Sequence, residues 1–333
     1  MRVFLTGATG YLGFALARRL RSDGHTVTAV VRPTTSPDAL RELGVLTYPG
    51  DITDRFSLRE PMSGADWVVH AAAELDPEAP LERIRAVNVA GSEAVASLAH
   101  KLGVGRFLSV SSMASFGGSP ADGSLANESS PLQQPFPSAY CATKHEGEAV
   151  IREWAKRGLA VNTVYPSLIY GAPGKRRGSN SLLAALARGR FPVLVGGDRK
   201  TSWVHLDDVV AALVTLLAGK APAGRAYLLA GEVVTVRELA ERIAAHTGIP
   251  APRFDLPIPL ARAAVALGTP LFRLVGRKPP LPAGQLTSLA RHWAFDDARA
   301  RAELDWSPRP LSVGLGPTLD YLTRPTAGEE HHG

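Results

Sequence analysis

Eight residues near the N-terminus, Thr6-Gly7-Ala8-Thr9-Gly10-Tyr11-Leu12-Gly13, restrict the fold more than any other feature of this chain. They follow a short apolar run at 2–6 and precede residues 11–23, where Leu12, Ala15, Leu16 and Leu20 recur at helical spacing until Gly24 stops them. Strand, glycine loop and helix in direct succession open a βαβ unit. Gly7 permits the tight turn, Gly10 lets a ligand approach the backbone, and Gly13 lets the helix pack closely on the strand. The helix start then offers N–H groups and a positive dipole end to a phosphate. In this context the glycine trio is a dinucleotide-binding motif.

The alternation continues. Residues 26–31, 67–70, 106–111 and 160–165 read as strands, with helical composition at 81–101 and 140–157 between them. This pattern predicts an α/β protein with a Rossmann-type, doubly wound parallel sheet covered on both faces. After Gly171 the rhythm loosens. Residues 180–188 read as a helix, 203–205 as a strand, 206–218 as a helix, and 235–247 as a helix capped by Thr235; 250–282 is Pro-rich and apolar with one short helical piece. The expected division is a dinucleotide-binding domain at 1–172 and 201–232, a smaller, mainly helical substrate domain at 173–200 and 233–325, and a tail at 326–333.

Composition excludes several classes. With 333 residues, 45% apolar and 20% charged, the chain can bury a large core, and disorder is not expected. The net charge of +6 comes with no nucleic-acid-binding motif, so no nucleic-acid partner is expected. A single cysteine, Cys141, excludes a disulfide framework, and nothing has metal-ligand spacing. The apolar stretch 256–275 is cut by Pro259, Arg262, Pro270 and Arg273 and does not read as a membrane span. The chain enters its first strand at Val3 with no room for a signal peptide, and a soluble cytoplasmic protein is expected.

The end of the second strand reads Val30-Val31-Arg32-Pro33. An acid there would bind a ribose 2′-hydroxyl, whereas an Arg accommodates a 2′-phosphate, so NADP(H) is preferred over NAD(H). The alternative is a solvated Arg32 with either cofactor accepted. Asp51, followed by Ile52, can accept a hydrogen bond from the adenine amine or simply form a turn.

Tyr140 and Lys144 stand one turn apart on a single helix face. A free phenol has a pKa of about 10, and a nearby cation lowers it towards the working range. Ser111 and Ser112 close the strand at 106–111, where such a sheet places its ligand crevice. Ser112 to polarise a carbonyl, Tyr140 to exchange its proton and Lys144 to shift the phenol make a metal-free constellation for hydride transfer to a ketone. Cys141 lies roughly 100° around the helix from Tyr140 and reads as an inert, buried thiol.

Taken in order, Thr6–Gly13, Val69-His70-Ala71-Ala72-Ala73, Asn88-Val89-Ala90-Gly91, Ser111-Ser112, Tyr140/Lys144, Tyr165-Pro166-Ser167-Leu168-Ile169-Tyr170-Gly171, Val204-His205-Leu206-Asp207-Asp208-Val209 and Ala302-Glu303-Leu304-Asp305-Trp306-Ser307-Pro308 cover almost the whole chain. This set resembles the extended short-chain dehydrogenases/reductases, the NAD-dependent epimerase/dehydratase group. The resemblance implies a seven-stranded Rossmann sheet and cofactor contacts at Ala71, Ala72, Asn88, Pro166, Leu168 and Ile169. It also implies a possible homodimer through the helices at 81–101 and 140–157.

Departures from the pattern choose a branch. Phe116 replaces the Tyr, and Thr201-Ser202-Trp203 the Arg-Asp-Phe, that sugar-nucleotide epimerases carry. Leu286-Thr287-Ser288-Leu289 stands where they have Arg-x-Gly-Asp. With two pyrophosphate grips missing, the chain is closer in look to the 3β-hydroxysteroid dehydrogenase and dihydroflavonol reductase branch. The resemblance thus implies an NAD(P)(H)-dependent oxidoreductase acting on a ketone or secondary alcohol of a largely apolar small molecule. The alternative is an NAD-dependent nucleotide-sugar epimerase or dehydratase. A non-catalytic dinucleotide sensor would not need Ser112, Tyr140 and Lys144 together. The run Lys175-Arg176-Arg177 reads as a solvated loop or an anion grip, His205 as a packing residue, and Asp207 and Asp208 as helix caps. Substrate specificity is expected from the loops at 74–81, 113–137 and 180–203.

Overall fold

Runs such as Val3-Phe4-Leu5 and Val27–Val31 are buried on both faces, and the one polar side chain among them, Thr28, donates to Pro61 O at 2.8 Å. The computed structural model describes residues 1–76, 79–173, 178–274 and 283–324; the basic run 175–177, the tail 326–333 and part of the 256–281 stretch lie outside them. Strands β1 (Arg2–Thr6), β2 (Thr26–Val31), β3 (Leu46–Pro49), β4 (Trp67–His70), β5 (Arg106–Val110) and β6 (Val161–Pro166) follow the predicted alternation. Next come β7 (Leu168–Tyr170), β8 (Val193–Val195), β9 (Lys200–His205), β10 (Ala226–Leu229), β11 (Glu232–Thr235) and β12 (Phe254–Leu256). Seven strands form one sheet in the order β3-β2-β1-β4-β5-β6-β10, with every pairing parallel. The strand order reverses between β1 and β4, where Thr6 pairs with His70, and the carboxyl ends at such a reversal are where sheets of this kind take their ligands.

Side-chain alternation along β1 distributes the core. Val3 and Leu5 point to the face covered by helices Tyr11–Ser22 and Leu206–Leu217, through Leu16, Leu20, Val209 and Leu213. Phe4 points to the face covered by helices Ser92–Lys101 and Ala139–Lys156, through Val95, Ala99 and Ile151. A second sheet, β11-β9-β7, carries a separate core with helices Ser179–Ala187, Val236–Thr247 and Leu311–Thr323. Helix Ala298–Leu304 and Trp306 come back to pack in the main sheet's core.

Three local expectations change. The helix predicted at 81–101 contains a π turn, Ala86–Gly91, between Leu81–Arg85 and Ser92–Lys101. The Pro-rich stretch holds a helix of 17 residues, Ile258–Leu274, rather than a short piece. Pro259 sits in its first turn, where the missing N–H has no helical partner to lose. β10, the seventh strand of the main sheet, is four residues long, Ala-Tyr-Leu-Leu, and carries too little pattern to be read alone. Among the described residues no helix is long and apolar enough to cross a membrane, and no group of three or more His, Cys, Asp or Glu is placed to hold a metal.

Helix Ala139–Lys156 approaches the π turn so closely that a Cβ on Gly147 would stand 2.1 Å from the Asn88 carbonyl oxygen. Helix propensity alone favours Gly147→Ala by about 1 kcal/mol. The contact predicts the opposite sign, a loss of about 1–3 kcal/mol in urea unfolding. An equal or higher stability would show that the two helices have room to spare.

Candidate active site

The glycine loop is a cradle that side chains would fill. Gly7 has φ +73°, and a Cβ on it would stand 2.7 Å from Ala72 N and 2.8 Å from the Ala71 carbonyl. A Cβ on Gly13 would come within 2.1 Å of Gly7 O. Gly10 N donates to Gly7 O at 2.9 Å and closes the turn. Helix Tyr11–Ser22 begins with no side-chain cap and no acid in its first turn. A bare, positive helix end over a glycine floor fits a pyrophosphate.

The strands beside it are tied by Thr6, the residue that opens the glycine motif. Thr6 Oγ1 accepts from Ala71 N and Ala72 N, both at 3.2 Å, and is hydrogen-bonded to His70 Nδ1 at 2.8 Å. His70 Nε2 is hydrogen-bonded to Ser92 Oγ at 3.0 Å. Burial, reinforced by the Lys144 ammonium, drives the His70 imidazole down to about 3, so it stays neutral. The only signal for Thr6 in the sequence was its place directly before Gly7.

The other expected cofactor residues fall into two groups. Thr9, Leu12, Pro166, Leu168 and Ile169 lie on the loop and on the segments that follow β1 and β6, and Arg32 is exposed beyond β2. Asp51 and Asn88 spend polar atoms within the protein. Asp51 Oδ1 accepts from Thr53 N and Thr53 Oγ1, both at 2.9 Å, which is the turn-forming role; Ile52 is buried. Asn88 Oδ1 accepts from Glu74 N at 2.8 Å, and its Nδ2 donates to Thr143 Oγ1 at 3.1 Å, pinning the loop after β4 to the Tyr140 helix. The Tyr11 hydroxyl donates to Gly171 O at 2.6 Å, a strut to the segment after β7. Burial drives the Tyr11 phenol upwards.

Ser138 caps helix Ala139–Lys156, its Oγ accepting from Cys141 N at 3.2 Å, and this sets Tyr140 in the first turn. Ser112, just beyond β5, accepts from Ala114 N at 3.1 Å as it caps the short turn Met113–Phe116. That bond uses a lone pair and leaves the Ser112 proton to donate. Burial pushes the Tyr140 phenol up to about 12, and its hydrogen bond with Ser112 works against that rise. The Lys144 ammonium donates to Val110 O at 3.1 Å; burial pulls it down to about 8, with Glu148 opposing. The sequence reading had Lys144 lowering the phenol. In this structure the Ser112 hydrogen bond also acts on Tyr140 in that direction, and the Lys144 ammonium rests on the last carbonyl of β5. Cys141 is buried, and burial raises its thiol, in keeping with an inert role.

The loop at 113–137 is held from the C-terminal part of the chain. Arg291 donates to Gly117 O and Gln133 O at 2.6 Å and to Pro135 O at 2.5 Å. Backbone bonds Ser119 N to His292 O and Ala126 N to Ala294 O continue the seam at 2.8 and 3.0 Å. Phe116 packs edge-on against Tyr165, with ring centroids 5.0 Å apart, and tilted against Phe295. Nothing in the local sequence marks Arg291, because its three acceptors are carbonyls more than 150 residues away. Trp203 is 1% exposed and donates to Thr201 Oγ1 at 2.8 Å, so it is core rather than substrate surface. The cap of helix Leu206–Leu217 is not an aspartate. The buried His205 ring accepts from Asp207 N at 3.2 Å, while Asp208 accepts from Arg309 N and Nε at 2.9 and 3.0 Å, anchoring the C-terminal segment.

Residues 3–230 match the NAD dependent epimerase/dehydratase family. The chain is 32% identical over 316 residues to the 4-hydroxy-2-methyl-3-oxo-4-farnesyl-3,4-dihydroquinoline-1-oxide ketoreductase of Stigmatella aurantiaca, covering 93% of this chain and 92% of that one. It is 32% identical over 329 residues to the sterol demethylase protein B of Methylococcus capsulatus, covering 97% and 98%. Among solved structures, that of gox2253 superposes with a TM-score of 0.82 at 26% identity, over 96% of this chain and 97% of that one. The glycine cradle, the parallel sheet and these matches agree: the chain belongs to the NAD-dependent epimerase/dehydratase family and is an extended short-chain dehydrogenase/reductase.

Proposed function

We propose that the protein is an NADP(H)-preferring oxidoreductase that reduces a ketone, or oxidises the matching secondary alcohol, on a largely apolar small molecule. The observation that carries this reading is the hydrogen bond between Tyr140 and Ser112 just beyond β5, on the same carboxyl edge of the parallel sheet as the glycine loop that follows β1 two strands away. When bound, the dinucleotide supplies or accepts the hydride. Gly7, Gly10 and Gly13 with the N–H groups of Tyr11 and Leu12 would hold its pyrophosphate, and Arg32 would hold the 2′-phosphate. Ala71, Ala72, Pro166, Leu168 and Ile169 would line the remainder of the cleft, and Asn88 would hold the loop after β4 in place behind it.

Tyr140 donates the proton to the carbonyl oxygen, and Ser112 polarises that oxygen by hydrogen bonding. A phenol held up at about 12 is fully protonated at neutral pH and is ready to serve as the acid. The cost lies in the anion left behind. Once the substrate oxygen carries the proton, the single Ser112 hydroxyl is free to donate to the phenolate, and the Lys144 ammonium stabilises it through its positive field.

An apolar substrate fits the missing charge in the segment that follows Ser112. Met113, Ala114 and Phe116 there are apolar and form a core with Tyr165 and Phe295, with no charged side chain among them. Thr201, Ser202 and Trp203 are buried as well, and Arg291 is committed to three carbonyls, so neither supplies a grip for a nucleotide diphosphate. The named relatives act on a farnesylated quinoline and, by name, in sterol demethylation.

Tyr140→Phe is expected to lower kcat by about a hundredfold or more on any ketone that turns over. NADPH binding, followed by nicotinamide fluorescence, is expected to persist. Retained turnover would reassign the acid. Arg32→Ala is expected to weaken NADPH by about tenfold, the worth of one charge-assisted contact at an exposed site, and to leave NADH unchanged. Equal losses for both cofactors would remove Arg32 from the 2′-phosphate.

A further inference from the structure

We propose that Glu148 is a positioning residue of this site, a buried carboxylate that keeps the Lys144 ammonium charged and directed at the end of β5. The inference rests on the reading of Tyr140 and Lys144 just given and adds to it a residue that touches neither substrate nor cofactor.

Glu148 lies four residues beyond Lys144 and eight beyond Tyr140, so the three share one face of helix Ala139–Lys156. Its side chain is only 8% exposed, an unusual place for a carboxylate without cause. The carboxylate is held from three directions. Oε1 accepts from the Tyr165 hydroxyl at 2.7 Å and from Arg152 at 2.5 Å, and Oε2 accepts from Ser111 Oγ at 3.4 Å. Arg152 is 55% exposed, so water screens that partner far more than it screens the interior side of the carboxylate. Ser111 is the residue after Val110, whose carbonyl receives the Lys144 ammonium. Glu148 and Lys144 therefore grip adjacent residues at the end of β5.

Lys144 lines a small polar cavity together with groups from several elements. His70 faces it from β4, and Asn88 and Ser92 from the π turn and the helix that continues it. Ser109, Val110 and Ser111 face it from the end of β5, and Glu148 from the same helix as Lys144. His70 is neutral, and Glu148 is the one acidic side chain lining that cavity. Burial works to discharge the lysine, and Glu148 is the group that opposes it. Lys144 is charged below its pKa. Losing Glu148 lets burial move that pKa lower, so the charge disappears at a lower pH. A neutral lysine has no field with which to stabilise a phenolate or hold an anionic dinucleotide.

The test needs no substrate. In the full-length protein labelled with [13C]lysine, the Lys144 ε-carbon signal is assigned by its loss in Lys144→Arg and titrated by NMR. Wild-type Lys144 is expected to titrate near 8. In Glu148→Gln, which keeps the acceptor for Tyr165 but not the charge, the midpoint is expected to fall by about one pH unit or more. In Glu148→Asp, where the charge withdraws by one methylene, a smaller fall is expected. Arg152→Met removes a cation on the far side and is expected to give no fall. A role limited to packing would leave the lysine titration where it is. An unmoved Lys144 midpoint in Glu148→Gln, or in Glu148→Asp should the first variant not fold, overturns the inference. Turnover in Tyr140→Phe tests the proton relay separately, so either idea can fail without the other.

Discussion

The seating of helix Ala139–Lys156 against the π turn fixes where the chemistry stands. Gly147 lies under the Asn88 carbonyl with no room for a methyl group, and Asn88 Nδ2 reaches across to Thr143 on the same helix. Those contacts settle the height and rotation of a rod that carries Tyr140, Lys144 and Glu148 along one side. At its start, Ser138 caps the first turn and Tyr140 meets Ser112. A shift of the rod by even part of a turn would separate the phenol from the serine and the ammonium from Val110. Geometry here precedes acidity.

Burial then sets the charges, and it acts in the same sense on each group: the charged form is disfavoured. The phenol of Tyr140 rises, the ammonium of Lys144 falls, and the imidazole of His70 falls furthest. Left to burial alone, the site would be a set of neutral groups. What counters it is specific: one hydroxyl for the phenol and one carboxylate for the ammonium. His70 has no such counterweight. Its ring is bonded on both sides, to Thr6 and Ser92, and its place is structural, joining the glycine loop's strand to the helix behind β4.

Much of this was legible in the sequence, and what was not shares a physical cause. β1, β2, β4 and β5 are mainly apolar runs buried on both faces, and a parallel sheet is the arrangement that buries both. The glycine cradle could be read because each glycine answers a steric demand arising within its own βα unit or at the neighbouring strand end. Tyr140 and Lys144 could be read because helical spacing alone puts them on one face. Arg291, by contrast, acts on carbonyls of a loop that is far away in the chain, and a carbonyl carries no sequence signature. His205 displaced the aspartates as a cap because its ring is turned back over the helix start by packing on Tyr170. The direction of the lysine stem was equally hidden. Spacing assigns a face, but the end of a four-carbon stem goes where a buried acceptor waits, here Val110 O.

The central claim is that the Ser112–Tyr140 pair beside a dinucleotide cradle serves net carbonyl reduction. It is tested most directly by following an isotope label from cofactor to product. The purified protein is incubated with C4-deuterated NADPH and a panel of hydrophobic ketones, and in parallel with nucleotide sugars and no added cofactor. The account predicts a secondary alcohol carrying one deuterium at the carbinol carbon, with nucleotide sugars unchanged. An epimerised or dehydrated nucleotide sugar, with no deuterium entering any ketone, would contradict it.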